Sequence, residues 1–161
     1  MDKLRLILLP FGWIYGLITG LRNSLFNQGV LKTYQIPKKS ITIGNLSTGG
    51  TGKTPHVDFL INHFIKQGKK VSSLSRGYGR KTNGVLLASS NSDASEIWDE
   101  PLFYKNKYEE QINVVVAENR KEGVELINDQ FPNNEIIILD DAFQHRAIQP
   151  DEARLSCREI E

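Results

Sequence analysis

Residues 40–54 read Ser-Ile-Thr-Ile-Gly-Asn-Leu-Ser-Thr-Gly-Gly-Thr-Gly-Lys-Thr, an apolar run followed by a glycine-rich stretch. The apolar run predicts a β-strand, and the glycines after it let the backbone curl so that successive N–H groups face an anion. Lys53 would reach the β and γ phosphates of a nucleotide, and the hydroxyl of Thr54 suits Mg²⁺. The stretch therefore predicts a phosphate-binding loop between a strand and a helix.

The loop departs at one position from the usual pattern G-x-x-x-x-G-K-S/T, because Ser47 stands where the first glycine normally lies. The other glycines, the lysine and the expected strand–loop–helix context are present. The plain alternative is a glycine-rich turn that only caps a helix. The predicted ATP-binding residues are Ser47, Thr48, Gly49, Gly50, Thr51, Gly52, Lys53 and Thr54.

Outward from the loop, short apolar runs alternate with helical patterns, which is typical of βαβ units in a parallel sheet. Apolar residues at helical spacing predict a helix from about Thr54 to Gly68, with Pro55 in its first turn. The predicted fold is an α/β, P-loop NTPase-type domain, with a mostly parallel sheet flanked by helices. Further strands are expected at 71–74, 85–88, 112–117 and 135–139, a helix at 119–130 and a polar loop at 89–95.

A second apolar run in the sequence ends in two acidic residues. The apolar residues 136–139 end in Asp140 and Asp141. Parallel strands place their carboxyl ends at one edge of the sheet, so these acids are expected to organise Mg²⁺ together with Thr54. Taken alone, two acids after a strand more often form a turn or a helix cap.

Composition limits the choice of partners. The chain has 161 residues, with 20 Lys and Arg against 19 Asp and Glu. This near-neutral balance argues against a nucleic-acid binder that relies on bulk charge. The single cysteine, Cys157, has no partner for a disulfide, which fits a reducing compartment.

The N-terminus has a different character from the rest of the chain. Residues 6–21 contain no charged side chain and are flanked by basic residues on both sides. The run is shorter than the roughly 20 residues that span a bilayer, and Pro10 weakens a straight helix. Trp13 and Tyr15 suit a headgroup region. We expect residues 1–30 to form an interfacial membrane-associated segment; a buried helix and a cleavable signal peptide are the alternatives.

Together these motifs resemble one known family. Motifs at 43–55, 74–80, 99–101 and 139–146 read Ile-Gly-Asn-Leu-Ser-Thr-Gly-Gly-Thr-Gly-Lys-Thr-Pro, Leu-Ser-Arg-Gly-Tyr-Gly-Arg, Asp-Glu-Pro and Leu-Asp-Asp-Ala-Phe-Gln-His-Arg. Their order and spacing are similar to those of tetraacyldisaccharide 4'-kinases, and so is the apolar N-terminus. The resemblance covers about residues 1–150 and the N-terminal half of that family.

The resemblance implies a function. It implies transfer of the ATP γ-phosphate, with Mg²⁺, to the 4'-hydroxyl of tetraacyldisaccharide 1-phosphate, giving lipid IVA in lipid A biosynthesis. The implied partners are this lipid A disaccharide precursor and a membrane surface, without nucleic acid. The implied location is the cytoplasmic face of the bacterial inner membrane.

The resemblance also assigns roles. Asp99 matches the catalytic carboxylate, while Trp98 before it stands where the family usually has glycine. From the residues alone, the acids of 99–101 more simply mark a helix N-terminus, and the arginines of 74–80 are equally well solvated surface charge. Residues expected to contact substrate or to support the site are Arg76, Arg80, Glu100, Gln144 and His145.

Two other functions and one structural expectation remain. A membrane-surface P-loop ATPase switch of the partitioning type would carry a lysine directly before the two glycines, where this chain has Thr48. A nonenzymatic nucleotide-binding remnant is the third interpretation.

Members of the family continue after the last motif with a strand and a second lobe, whereas residues 151–161 are charged. We therefore expect a P-loop domain over 31–150, a divergent tail without a strand, and no lipid turnover by this chain alone.

Overall fold

The structure is a computed structural model that describes residues 2–44, 53–140 and 148–155, with side chains for 12–44, 53–140 and 148–152. The chain divides into two compact units, Met1–Tyr34 and Gln35–Glu161. The helices are α1 Asp2–Asn27, α2 Lys53–Lys66, α3 Ala94–Ile97, α4 Asp99–Tyr108 and α5 Arg120–Gln130, with a 3₁₀ turn at Glu109–Gln111. The strands are β1 Tyr34–Gln35, β2 Lys39–Gly44, β3 Val71–Ser75, β4 Val85–Leu87, β5 Ile112–Ala117, β6 Ile136–Asp140, β7 Ile148–Gln149 and β8 Glu152–Leu155.

The second unit is built on a six-stranded sheet in the order β4-β5-β3-β6-β2-β8. Neighbouring strands are parallel except β4, which runs antiparallel to β5 at the edge. The central strands are almost continuously buried, as expected for parallel strands covered on both faces. The predicted α/β fold with a mostly parallel sheet is confirmed.

Two of the helices pack against the central strands of the sheet. Helix α2 packs against β2, β3 and β6, and its buried residues are Val57, Leu60 and Ile61. Helix α5 packs against β3, β4 and β5. Its approach is close because it carries Gly123, where an added Cβ would lie 2.6 Å from Leu74 Cδ1.

The boundaries of these elements follow local signals. Helix α2 ends before Gly68, which has a φ of +73° and donates its N–H to the Ile65 carbonyl at 2.9 Å. Asn119 caps α5 by accepting from the Lys121 N–H. The polar loop expected at 89–95 is partly wrong, because Asp93 accepts from two backbone N–H groups and starts the short helix α3.

Parallel pairing brings the two main motifs to one edge. In the β2–β6 pair, Ile43 lies opposite Asp140. The residue after Ile43 is Gly44, the last of β2, and the glycine-rich segment of the sequence follows it along the chain. Asp140 therefore lies at the same sheet edge as the point where β2 ends, as the sequence predicted.

The expectation that the tail offers no strand is wrong. Strand β8 pairs parallel with β2, with Ile41 opposite Glu152 and Gly44 opposite Leu155. Just before it, the Asp151 carboxylate accepts from the Ser40 N–H at 3.1 Å, and the Asp151 N–H donates to Ser40 Oγ at 3.0 Å. Pairing is made by backbone groups, and charged side chains are common on an edge strand, so the charged sequence concealed it.

The first unit is the long helix α1, followed by a turn in which Gly29 has a φ of +73°. Along the described part of α1, large apolar side chains are exposed: Trp13, Ile14, Tyr15, Leu17, Ile18 and Leu21. In the part of the chain that the structure describes, no helix is both long and apolar enough to cross a membrane.

Candidate functional site

A cleft of about 560 Å³ lies at the carboxyl edge of the sheet. The end of β3, the end of β6 and the first residues of α2 and α4 contribute to its walls. It brings together residues from all the motifs that carry the sequence resemblance. The lining residues are Lys53, Ser75, Arg76, Gly77, Tyr78, Trp98, Asp99, Glu100, Pro101 and Asp140.

The first turns of α2 and α4 are linked by side chains. Thr54 Oγ1 donates a hydrogen bond to Glu100 Oε1 at 3.0 Å. Both residues are half-buried, and the following Pro101 is buried. Thr54 of the predicted phosphate-binding motif and Glu100, which is expected to contact substrate or support the site, are therefore in direct contact.

Asp140 is a buried acid that lines the same cleft as Glu100, and it is only 2% exposed at the end of β6. Its main-chain carbonyl accepts from Arg120 Nη2 at 3.1 Å, while Arg120 Nη1 donates to the Ala117 carbonyl at 2.6 Å. Arg120 thus ties the end of β5 to the end of β6. The sequence prediction did not include this arginine. Its position, at the start of a capped helix that follows a buried strand, was a signal that it lies at the sheet edge.

Tyr104 is a second residue that the sequence reasoning missed. It is 1% exposed, and its hydroxyl makes no hydrogen bond to any described residue. Burial raises the pKa of Tyr104, and the negative charges of Asp140 and Glu100 raise it further. The nearby Thr54 hydroxyl opposes this rise without reaching hydrogen-bonding geometry. Its position one turn after Glu100 was the available signal.

Asp99 is the first residue of α4 and is exposed at the cleft. Acids in the first turn of a helix interact favourably with the helix dipole, so this position also fits the simpler interpretation of a helix N-terminus. The two interpretations are compatible, because the helix begins at the cleft wall. Lys53 begins α2 and lines the same cleft.

The two arginines of the 74–80 motif have different surroundings. Arg76 is exposed and lines the cleft. Arg80 does not line it; its guanidinium donates to Glu118 through Nε and Nη2 and to the Gly84 carbonyl through Nη2. Burial alone would raise the pKa of Glu118, but hydrogen bonds and charge from Arg80 hold that pKa below its ordinary value. Arg80 therefore stabilises the loop, and a contact with substrate stays a prediction.

Several predicted site residues lie outside the described residues. In the described ranges, no three His, Cys, Asp or Glu side chains are grouped closely enough to hold a metal ion. The predicted residues that fall outside are Ser47, Thr48, Gly49, Gly50, Thr51, Gly52, Asp141, Gln144 and His145.

Comparison with known proteins adds a family. Residues 4–153 match the family model for LpxK, described as tetraacyldisaccharide-1-P 4'-kinase. A tetraacyldisaccharide 4'-kinase of Flavobacterium psychrophilum is 47% identical over 150 residues, which are 92% of this chain and 43% of that protein. The corresponding protein of Cytophaga hutchinsonii is 44% identical over 152 residues, 94% of this chain and 43% of that protein.

A solved structure is similar as well. It is the crystal structure of "apo" form LpxK from Aquifex aeolicus in complex with ATP. The sequence of that protein is 39% identical to this chain, and the two structures compare with a TM-score of 0.79. The match covers 94% of this chain and 48% of that one. The chain thus spans less than half the length of these relatives.

Proposed function

This chain belongs to the tetraacyldisaccharide-1-P 4'-kinase family, and from that premise we propose that it supplies the nucleotide-binding part of a lipid kinase. The reaction is transfer of the γ-phosphate of ATP to the 4'-hydroxyl of a tetraacylated disaccharide 1-phosphate. The observation that carries the proposal is the hydrogen bond from Thr54 to Glu100, because Glu100 lines the cleft together with Lys53 and Asp99.

The ATP side of the proposal is supported by the start of α2. Lys53 lines the cleft there, at a helix N-terminus that follows a glycine-rich segment in sequence. Such a terminus attracts phosphate through its N–H groups and dipole, and a lysine adds a point charge for the terminal phosphates. The similar LpxK of Aquifex aeolicus was crystallised in complex with ATP.

The residues near Thr54 also fit a magnesium ion. Mg²⁺ prefers oxygen ligands, usually one or two carboxylates together with phosphate oxygens. Thr54, Glu100 and Asp140 provide a hydroxyl and two carboxylates, and the Tyr104 hydroxyl close to them has no partner among the described residues. When bound, Mg²⁺ would neutralise charge on the phosphates. Thr54, Glu100 and Asp140 would hold the ion, and Asp141 is a further predicted ligand.

Asp99, the exposed acid of the cleft, would act as the general base of the transfer. Asp99 accepts the proton of the acceptor hydroxyl as that oxygen bonds to the γ-phosphorus and the bond to the bridging oxygen of ADP breaks. The positive charge of Lys53 stabilises the negative charge of the transferring group. Because such catalysis depends on position, the fixed starts of α2 and α4 are the main contribution of the fold.

Helix α1 gives the proposed location. Its exposed Trp13, Tyr15 and Leu17 would enter the headgroup and acyl boundary of a bilayer, as in interfacial helices. The basic residues on both sides of residues 6–21 would face anionic lipids. We place the protein at the cytoplasmic face of the bacterial inner membrane, where ATP and the lipid acceptor meet.

The test compares Lys53→Ala with Lys66→Ala, an exposed lysine at the other end of the same helix. Calorimetric titration with ATP and Mg²⁺ should show binding lost in the first variant and kept in the second, with equal melting temperatures. Unchanged binding by Lys53→Ala would refute the phosphate-binding assignment. Phosphate release without acceptor would instead favour the ATPase-switch alternative, whereas acceptor-dependent ADP release, measured in a full-length context, identifies a kinase.

A further inference from the structure

Trp98 has a backbone conformation that is unfavourable for its side chain. It joins α3 to α4 with a φ of 76° and a ψ of 163°. Within the described ranges, Glu109 is the only other non-glycine residue with a positive φ. Such a conformation costs free energy for a bulky residue and persists only where the surroundings hold it, most often at functional sites.

The surroundings of Trp98 are built for its ring. An added Cβ on Gly79 would lie 2.4 Å from Trp98 Cζ3 and 2.6 Å from Cη2, so only glycine leaves room there. The Tyr78 ring meets the indole edge to face, with centroids 6.3 Å apart and planes at 89°. The main chain is held too, since the Trp98 N–H donates to Ala94 and its carbonyl accepts from Leu102. The indole is thus fixed before any ligand arrives.

The place of the indole in the cleft points to one ligand. Trp98 lines the cleft directly before Asp99, which in the proposed function receives the proton of the acceptor hydroxyl. In-line phosphoryl transfer places the acceptor and ADP on opposite sides of the γ-phosphorus. A residue beside the base therefore lies on the acceptor side, away from the nucleobase.

We propose that Trp98 is a positioning residue for the acceptor, and that its indole packs against the sugar ring that carries the reacting hydroxyl. This inference rests on the proposed function. A sugar ring presents an apolar C–H face, and a rigid aromatic side chain gives a large contact area at a low entropy cost. Holding the indole in place in advance lowers the cost of orienting the acceptor.

The first experiment uses the fluorescence of the indole itself. The chain contains two tryptophans, Trp13 and Trp98, so Trp13→Phe leaves Trp98 as the only indole. The probe is a deacylated glucosamine disaccharide 1-phosphate, which avoids membrane effects. We expect a saturable blue shift of Trp98 emission with the disaccharide and none with a non-hydrolysable ATP analogue alone. A shift with the nucleotide alone would assign the indole to the nucleobase and overturn the inference.

The second experiment separates positioning from a structural role. Trp98→Gly removes the indole but suits the positive φ, so the melting temperature should not fall, whereas the acceptor dissociation constant should rise about tenfold. Trp98→Phe should recover most of that affinity, and ATP binding by calorimetry should be unchanged in both variants. A lower melting temperature with equal weakening of both ligands would show a structural residue and refute the proposal.

Nucleotide binding keeps the two proposals distinguishable. If ATP binds in a Lys53-dependent way but the disaccharide does not change Trp98 emission, the inference about Trp98 fails and the nucleotide assignment stands. If ATP does not bind at all, the proposed function and this inference fail together.

Discussion

The hydroxyl of Thr54 donates a hydrogen bond of 3.0 Å to the carboxylate of Glu100. The two residues are 46 positions apart in the chain, and each lies in the first turn of a helix. This contact joins the phosphate-binding motif to the acid-bearing motif at one cleft wall. It sets the geometry on which the proposed metal and acceptor roles depend.

Glu100→Gln should weaken the dependence of nucleotide binding on Mg²⁺. The amide oxygen still accepts from Thr54, but the negative charge that favours the cation is lost. We expect the Mg²⁺ concentration for half-maximal ATP binding to rise about tenfold, the order seen when groups around a metal are altered. Glu125→Gln, on the exposed side of α5, should leave it unchanged. An unaltered Mg²⁺ requirement would remove Glu100 from the metal site.

Asp99→Asn should lower turnover without weakening ATP binding. A general base acts mainly in the transition state, and losses of roughly 10²- to 10⁴-fold are typical. Because this chain alone is not expected to turn over lipid, turnover is measured as acceptor-dependent ADP release in a full-length context, and ATP affinity by calorimetry. Asp129→Asn, an exposed acid near the end of α5, serves as the control. A parallel loss of nucleotide affinity would give Asp99 a metal-binding or structural role instead.

Tyr104→Phe should not destabilise the protein. The hydroxyl is buried and has no hydrogen-bond partner among the described residues, so its removal relieves a desolvation cost. We expect the free energy of unfolding in urea to stay the same or rise by about 1 kcal/mol. A fall in the free energy of unfolding by about 1 kcal/mol would instead show that the hydroxyl forms a stabilising hydrogen bond in the folded protein.

Glu118→Gln should remove a pH-dependent part of the stability. Although burial opposes it, Arg80 holds the pKa of Glu118 below its ordinary value of 4.5. A carboxylate with a lowered pKa stabilises the fold above its ordinary pKa, and this contribution is lost as pH falls through the lower, folded-state value. The Glu118 side chain is 43% exposed, so screening limits the effect to about 0.5–1 kcal/mol at neutral pH. Urea unfolding should show this difference in unfolding free energy between the unaltered protein and the variant at pH 7, and the difference should disappear in acid. A difference that does not change with pH would contradict the assignment.

Removing residues 1–22 should release the protein from lipid vesicles. The exposed apolar side chains of α1 supply the partition free energy, and the basic residues add attraction to anionic lipid. Sedimentation with anionic vesicles should therefore recover the full chain and leave the shortened chain in solution. Neutral vesicles should bind the full chain more weakly. Continued sedimentation of the shortened chain would place the membrane contact elsewhere.

Local signals in the sequence were enough for much of the fold. The β5 strand was predicted with its observed bounds, and α2 and α5 were placed within about two residues, as is usual for helix ends. Their signals are short-range: an apolar period, an N-cap at Asn119 and a glycine after the last turn. The parallel sheet followed from the alternation of strands and helices, and it brought Lys53 and Asp140 to one cleft as expected.

Other features were decided only by the tertiary structure. The pairing of β8 with β2, the engagement of Arg80 by Glu118 and the burial of Tyr104 beside Thr54 join residues far apart in the chain. Sequence spacing shows which residue types are present and which local structure they favour. It does not show which side chains meet across a sheet edge, because strand order and helix packing set those distances.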